Sequence, residues 1–321
     1  MAELVKISQV DDGIRLGRWF IRNYPGLSMA EFYKLCRGGQ IRVNSSRCRG
    51  GEILIAGDVI RIPPTLNSYK FIEKKTSSQS GELFSLSDLE SLRGYIIHSD
   101  DDIVVFNKPA GMAVQGGTGI KKSIDKMAAA LFPYHKISLV HRLDKETSGL
   151  LIVAKNQNAA QNLAKQFQEK TARKEYVALL NGVLPNLGGV IDNWVIKGQV
   201  FEDISNVPHD VKPQRAITEY HVLGTAHGLL SWVLFSPKTG RTHQLRLHSA
   251  YSLNAPIVGD DLYGITRKNN TLKSLIKTKN LFLFAYKITF VHPGTHKNMT
   301  LRAPVPDFMQ DVMKLLEFQL P

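Results

Sequence analysis

The sequence is poor in cysteine and has no long hydrophobic run. Cys36 and Cys48 are its only cysteines in 321 residues, too few for a disulfide framework or a zinc site, so we expect two reduced, structural thiols. No apolar stretch approaches the roughly 18 residues that a membrane-spanning helix needs. The first residues, MAELVKISQVDDG, lack the apolar core of a signal peptide. We therefore expect a cytoplasmic protein without a membrane partner.

Acidic residues are scarce relative to basic ones. The chain has 28 aspartates and glutamates against 41 lysines and arginines, which gives a net charge of +13. A surplus of this size favours a polyanionic partner, nucleic acid before an anionic membrane. Because 43% of the residues are hydrophobic, the chain is globular, and its length suffices for more than one domain.

Signatures of cofactor and metal binding are also missing. The glycine-rich stretch 116–122 has Ile120 where a phosphate-binding loop needs a lysine after Gly119, so an ATP site is not expected. His243 and His248 lack the HExxH spacing, and no carboxylate stands between them. We predict that the protein uses no cofactor and binds no metal.

Residues 1–64 are predicted to form a small α/β module. Helical spacing over 14–23 indicates a first helix. Ser28 and Glu31 have the spacing of a capping box, which indicates the start of a second helix. Two short alternating stretches, 40–44 and 56–62, predict strands.

This module is strongly basic, with nine lysines and arginines against four acids between Asp12 and Pro64. Arginines three or four residues apart on the first helix share a face, and such a face can contact phosphates. A solvated basic face on a purely structural module fits the same pattern. The candidate RNA-binding residues are Arg15, Arg18, Lys34, Arg37 and Arg42.

Residues 65–91 are predicted to be a linker, because KKTSSQSG at 74–81 is small, polar and aperiodic. Residues 92–321 are predicted to form a large α+β domain, with a mixed, mostly antiparallel sheet flanked by helices and a central cleft. Paired strands are expected at 95–98 with 103–107 and at 216–223 with 229–235, and helices at 123–132 and 159–169.

The most informative stretch reads LVHRLDKETSGLLIVAK, from Leu139 to Lys155. Its second half is a short apolar run that reads as a buried strand, so its polar first half is a loop held on a rigid sheet. In that loop Asp144 stands between Arg142 and Lys145. A carboxylate between two cations stays ionised. A solvated charged turn explains the spacing equally well.

The segment HRLDKETSG resembles the active-site motif of the RluA family of RNA pseudouridine synthases, and family-like blocks follow in order from about Tyr95 to Pro306. The resemblance implies that Asp144 is the essential catalytic residue. In the same way KEYVAL implies that Tyr176 stacks on the target uracil. GRTHQLRLH implies that Arg246 pairs with the catalytic carboxylate. Arg142 would occupy the space left by a flipped-out base.

Other blocks carry weaker implications. Arg241 and His243 are assigned to a supporting or phosphate-contacting role. NKPAGMAVQGG resembles a family motif that packs behind the active site, and PIVGDDLYG, at 256–264, resembles a family turn; we give both an architectural role. The family usually has His where this chain has Phe284.

The resemblance implies an isomerase that converts uridine to pseudouridine in RNA, on a flipped-out nucleotide. PGLSMAEFYKLCRGGQIRVN resembles a small RNA-binding module first seen in a small-subunit ribosomal protein. The combination with the large domain favours large-subunit ribosomal RNA as substrate. A transfer RNA synthase and a non-catalytic RNA-binding or ribosome-assembly protein remain the alternatives. We expect a monomer.

Overall fold

The computed structural model describes residues 3–8, 11–24, 27, 29–66, 84–117, 120, 122–196, 198–203, 213–264 and 280–321, without the side chains of Ile21 and Arg22. The chain divides into two compact units, Met1–Gly81 and Glu82–Pro321. The division lies within the stretch predicted as a linker. The predicted helix cap at Ser28 and residues 67–83 of that linker lie outside the described residues.

The small unit combines two helices with an antiparallel sheet, as the periodicity predicts. In its described part the four strands follow the order β1-β4-β2-β3. The rings of Phe20 and Phe32 join the helices with their centres 5.1 Å apart. Cys36 and Cys48 are buried free thiols beside them. The elements are β1 (Glu3–Lys6), α1 (Leu16–Asn23), α2 (Met29–Arg37), β2 (Arg42–Val43), β3 (Ser46–Arg47) and β4 (Val59–Ile62).

The candidate RNA-binding side chains of this unit differ in their surroundings. Arg42 is half-buried, and its Nε and Nη1 donate to the carbonyl oxygens of Gly39 and Ser45 at 3.2 and 3.3 Å. Arg42 therefore stabilises a turn. The remaining four candidates are exposed, namely Arg15, Arg18, Lys34 and Arg37. Their contact with RNA stays a prediction.

The large unit is built on one mixed sheet, in the order β11-β10-β12-β13-β9-β14-β8-β6-β5, with β15 added to β14 and β7 added to β8. Among its described pairings β8 and β14 are parallel, and the others are antiparallel. The predicted α+β class and the mostly antiparallel sheet are confirmed. The strands are β5 (Ile96–Ser99), β6 (Ile103–Lys108), β7 (Ser138–Leu139), β8 (Ser148–Ala154), β9 (Arg173–Asn181), β10 (Gly188–Ile196), β11 (Gln199–Phe201), β12 (Gln214–Ala226), β13 (Leu230–Pro237), β14 (Leu283–Val291) and β15 (Asn298–Arg302).

Helices flank this sheet, and one of them corrects the predicted linker. Helix α3 begins inside 65–91, because Ser85 accepts a hydrogen bond from the Asp88 backbone while the Asp88 carboxylate accepts one from the Ser85 backbone. This reciprocal cap is a sequence signal that the polar composition of the stretch obscures. The helices are α3 (Leu86–Gly94), α4 (Ile124–Leu131), α5 (Gln157–Gln168), α6 (Gln244–Leu247) and α7 (Asp307–Leu315), and a π-helical turn spans His248–Ser252. In the described ranges every helix is too short or too polar to traverse a bilayer.

Strand β8 fixes the position of the Asp144 loop, because all seven of its residues are buried in the sheet. At its start Gly149 meets β14 so closely that a Cβ atom there would lie 2.3 Å from the carbonyl oxygen of Ala285. Its φ of 110° also favours glycine. The close contact between Gly149 and β14 thus fixes the C-terminal end of the loop that precedes β8. Phe284, next to this contact, is fully buried, which suits an apolar ring.

Candidate active site

A cleft of about 1230 Å³ opens in the large unit where the predicted motifs meet. Its wall is formed by the loop before β8, the first half of β9 and the segment from Pro237 to Arg246. Asp144, Tyr176 and Arg246 all line it, together with Arg142, Arg241 and His243. The structure therefore brings together every candidate that the sequence assigns to the large domain.

The Asp144 loop is held from behind by a buried lysine. Lys108 is fully buried, and its Nζ donates to the carbonyl oxygens of Pro109, Met112 and Lys145 at 3.0, 2.9 and 2.8 Å. Burial lowers the pKa of Lys108 to about 7, against the opposing charges of Glu146 and Asp144. The architectural role predicted for the block that contains Lys108 agrees with these contacts.

His141 fixes the other side of the loop and was not singled out from the sequence. Its Nε2 accepts a hydrogen bond from the Ile152 backbone at 2.9 Å, and its ring stacks on Phe167 at 4.5 Å. Burial, with a smaller contribution from the charge of Lys174, lowers the pKa of His141 to about 3. The imidazole is therefore neutral, and it holds the loop as an acceptor rather than as a cation.

Tyr176 lies on β9 and turns toward the same cleft. Burial raises the pKa of its phenol, and the negative charge of Asp144 raises it further. The phenol is thus protonated at neutral pH and lies within electrostatic reach of the carboxylate. This geometry suits the predicted stacking of a base on Tyr176, which stays a prediction.

In the structure Arg246 pairs with a different carboxylate from the one predicted. Its Nε and Nη2 donate to the two carboxylate oxygens of Asp260 at 2.8 and 2.6 Å, and both side chains are buried. Asp260 comes from the turn that was given only an architectural role. This two-bond fork, made by one side of the guanidinium, fixes Arg246 on Asp260. Burial opposes the charge of Arg246, but Asp260 and then Asp144 keep its pKa above the usual range.

His243 is the group that faces Asp144. Its Nε2 lies 3.9 Å from Oδ1 of Asp144, and its Nδ1 shares a hydrogen bond of 2.9 Å with the Tyr263 hydroxyl. The backbone of His243 is left-handed, with φ of 54°, a conformation that non-glycine residues adopt at a cost. The guanidinium of Arg246 lies 5.3 Å from the centre of the Tyr263 ring. Sequence reasoning missed Tyr263 and Asp260, although both stand in the DDLYG segment.

Two of the exposed arginines that line the cleft, Arg142 and Arg241, were singled out from the sequence. Arg142 is exposed beside Asp144, and Arg241 donates through Nε to the Arg215 carbonyl at 3.1 Å. The buried Gln244 orients the Arg241 segment, because its Oε1 accepts from the Arg241 backbone at 3.0 Å and from the Thr239 hydroxyl at 2.7 Å. These contacts fit the supporting role predicted for Arg241.

Outside the cleft, His98, Asp100 and His292 form a group of metal-ligating types that sequence reasoning missed. His98 Nε2 and His292 Nε2 lie 2.6 and 2.9 Å from the same Asp100 oxygen. However, His292 Nδ1 accepts two backbone N–H groups, from Gly294 and Thr295. In a neutral imidazole the proton must then be on Nε2, where a metal would need a lone pair. The group is better described as a clamp between β5 and the end of β14.

Comparisons with known proteins agree with this fold. Residues 102–251 match the family model described as RNA pseudouridylate synthase. The chain is 36% identical to Ribosomal large subunit pseudouridine synthase C of Vibrio vulnificus, over 98% of this chain and 96% of that protein. It is 33% identical to the protein of the same name from Pasteurella multocida, over 99% and 94%. The structure of Human RNA Pseudouridylate Synthase Domain Containing 4 aligns with a TM-score of 0.62 at 24% identity, over 73% of this chain and 97% of that one.

The family match, together with a cleft that holds a carboxylate among cations and an aromatic side chain, indicates an enzyme that modifies RNA bases. The alignments with the two synthases cover nearly the full length of each chain, and they identify the kind of RNA-modifying enzyme. The chain belongs to the RNA pseudouridylate synthase family, and it is a pseudouridine synthase.

Proposed function

We propose that this protein converts specific uridines of large-subunit ribosomal RNA to pseudouridine. The observation that carries the reaction is Asp144, a half-exposed carboxylate in a cleft of cations beside the phenol of Tyr176. The names of the relatives, which align over nearly their whole length, support the substrate. The basic small unit supports a folded RNA as partner, since exposed arginines suit shape and phosphate recognition.

The reaction is an isomerisation within one nucleotide. The bond from C1′ of the ribose to N1 of uracil breaks, the base turns, and a bond from C1′ to C5 forms. The C5 proton leaves and N1 gains a proton, so atoms balance without oxidant, water or group donor. The target base must first leave its stack, which costs a few kcal/mol.

Each cleft residue has a role in this scheme. Asp144 supplies the carboxylate at the ribose or the base. Tyr176 provides the plate on which the uracil stacks, and a protonated phenol can also exchange a proton with the turning base. Arg142, exposed beside Asp144, fills the gap left in the RNA stack. His243, held by Tyr263, sets the carboxylate orientation that sequence reasoning gave to Arg246.

The test is made on RNA from cells with and without the gene. A carbodiimide that marks pseudouridine produces reverse-transcription stops, and stops that vanish from large-subunit RNA on deletion identify the substrate. They should return with the wild-type gene and with Asp101→Asn, an exposed acid in the β5–β6 turn, but not with Asp144→Asn. Asp144→Asn should still bind the RNA. An active Asn variant would sink the mechanism, and loss of stops only from transfer RNA would overturn the substrate.

A further inference from the structure

Lys174 is a cation in the wall of the cleft that has no acidic partner among the residues that the structure describes. In the described part of the chain it forms no ion pair, whereas the cleft acids other than Asp144 are both occupied. Glu219 binds Lys238 at 2.6 Å, and Glu175 binds Lys287 at 3.0 Å. The carboxylates of Glu175 and Glu219 are therefore each paired with another lysine, and neither of them neutralises the charge of Lys174.

An aromatic ring and a glycine lie near the ammonium group of Lys174. Its Nζ lies 6.0 Å from the centre of the Phe167 ring, and a Cβ atom on Gly240 would lie 3.8 Å from it. Burial lowers the pKa of Lys174. A desolvated ammonium without a counter-ion is costly in a folded protein. A fold can retain this unfavourable free energy where a bound ligand supplies the missing negative charge.

Asp144 does not play that part. Its Oδ1 faces Nε2 of His243 at 3.9 Å, and no ion pair within 4 Å joins it to Lys174. The cleft thus has two regions. One holds Asp144 with its partners, and the other holds Lys174 between α5 and the turn at Gly240.

The distance between these regions fits a nucleotide. Side chains two residues apart on a strand point to the same side, roughly 7 Å apart along it. Lys174 therefore shares the face of Tyr176, the plate for the base, at a separation similar to the reach from a base to its own phosphates. Further cations line this region and carry no carboxylate pair among the described residues, namely Lys170, Arg173 and Arg241.

We propose that Lys174 binds a phosphate oxygen of the RNA backbone next to the flipped uridine. The inference rests on the proposed function, because it takes RNA as the substrate. An ammonium group is a compact point charge that suits a single phosphate oxygen. The contact anchors the backbone while the base lies on Tyr176, so it acts on binding of the flipped nucleotide rather than on the bonds that break.

The first test measures binding and turnover of the same RNA at several salt concentrations. Lys174→Gln should raise KM roughly tenfold, leave kcat within about twofold, and lower the slope of log affinity against log salt by about 1. Lys174→Arg should keep the slope. The matched control is Lys165→Gln on α5, an exposed lysine beside Glu169 that does not line the cleft. An unchanged slope in Lys174→Gln overturns the contact, whatever the activity.

The second test locates the phosphate. A set of RNA substrates is prepared in which each RNA carries a single neutral methylphosphonate, placed at a different linkage around the modified uridine. At the contacted linkage the methylphosphonate should lower the affinity of the wild-type protein. The same replacement should not further lower the affinity of Lys174→Gln, so the effects of the two changes are not additive. Additive losses at every linkage overturn the proposal. If wild-type protein produces no pseudouridine in any RNA, the proposed function is overturned instead. The salt dependence of binding does not require turnover, so it tests the phosphate contact separately.

Discussion

The small unit and the cleft are both rich in cations, but they hold them differently. In the small unit the side chains of four cations are exposed to solvent, namely Arg15, Arg18, Lys34 and Arg37. In the cleft wall Arg246 is buried in a fork with Asp260, and Lys174 is desolvated. Exposed charges act additively through a screened field, whereas buried charges depend on one partner each. Two regions that are both rich in cations therefore differ in kind, since one is suited to attracting a polyanion and the other to a defined geometry.

The largest expected effect comes from breaking a buried pair. Arg246→Met leaves the Asp260 carboxylate buried without its fork, which should cost about 3 to 5 kcal/mol of unfolding free energy. Urea denaturation followed by fluorescence measures the change. Asp260 also accepts the backbone N–H groups of Leu262 and Tyr263 at 2.9 and 3.0 Å, so the variant should lose the turn as well as the pair.

The control for this prediction is Arg215→Met, which removes an exposed fork to Asp192 at 2.8 and 2.6 Å. An exposed pair contributes about 0 to 1 kcal/mol. Equal destabilisation by the two substitutions would contradict the distinction between buried and exposed charges.

The next effect concerns the orientation of Asp144. Tyr263→Phe removes the hydroxyl that shares a hydrogen bond with His243, so His243 should no longer hold the carboxylate in place. We expect kcat to fall about 10- to 100-fold with KM little changed, since misplacement near the reacting atoms costs rates of this order. His243→Asn, which tolerates the left-handed backbone, should give a similar loss.

The double variant of Tyr263 and His243 distinguishes a shared function from two separate ones. If Tyr263 acts through His243, the double variant should be hardly slower than either single variant. Losses that multiply would show that the two side chains act independently. Turnover numbers of the four proteins on one RNA provide the comparison.

Sequence patterns predicted the elements that carry this site but not its pairings. The apolar run at β8 and the strand-like segment around Tyr176 were sufficient to predict the strand that follows Asp144 and the strand that carries Tyr176, because such runs report burial directly. Which acid Arg246 binds depends on a turn fourteen residues later, a contact that no local pattern encodes. Helix α3 was missed for a different reason, since its capping box lies beside a polar stretch that resembles a linker.

Two desolvated, neutral histidines, the half-buried His141 and the fully buried His248, should make the large unit sensitive to acid. The pKa of His141 is lowered to about 3 and that of His248 to about 4, in both cases chiefly by burial. Each unfolded imidazole titrates near 6.5. The unfolded state therefore binds more protons below that pH, and stability is full above about pH 6.5 and declines as pH falls toward the folded pKa. At pH 5 the loss should reach up to about 2 kcal/mol for each histidine.

Chemical denaturation at pH 7 and pH 5 measures this slope. His141→Gln should flatten it, since the variant lacks the titrating group. His296→Asn is the control, because His296 is exposed and already has a left-handed backbone that Asn accepts. A slope unchanged in His141→Gln would mean that burial does not keep this imidazole neutral.

The smallest effects are expected in the small unit, where the comparison with the cleft is sharpest. Arg18→Gln should change stability by less than about 0.5 kcal/mol, because an exposed side chain away from a cap or a core contributes little. RNA affinity should fall only a few-fold, and the salt slope should decrease by about 1 if the side chain contacts a phosphate. Combining Arg15→Gln, Arg18→Gln and Arg37→Gln should add these losses, since screened charges do not share a partner. Binding of large-subunit RNA across a salt series tests this. Strong coupling among the three would mean that the small unit, like the cleft, recognises its RNA by defined geometry rather than by attraction.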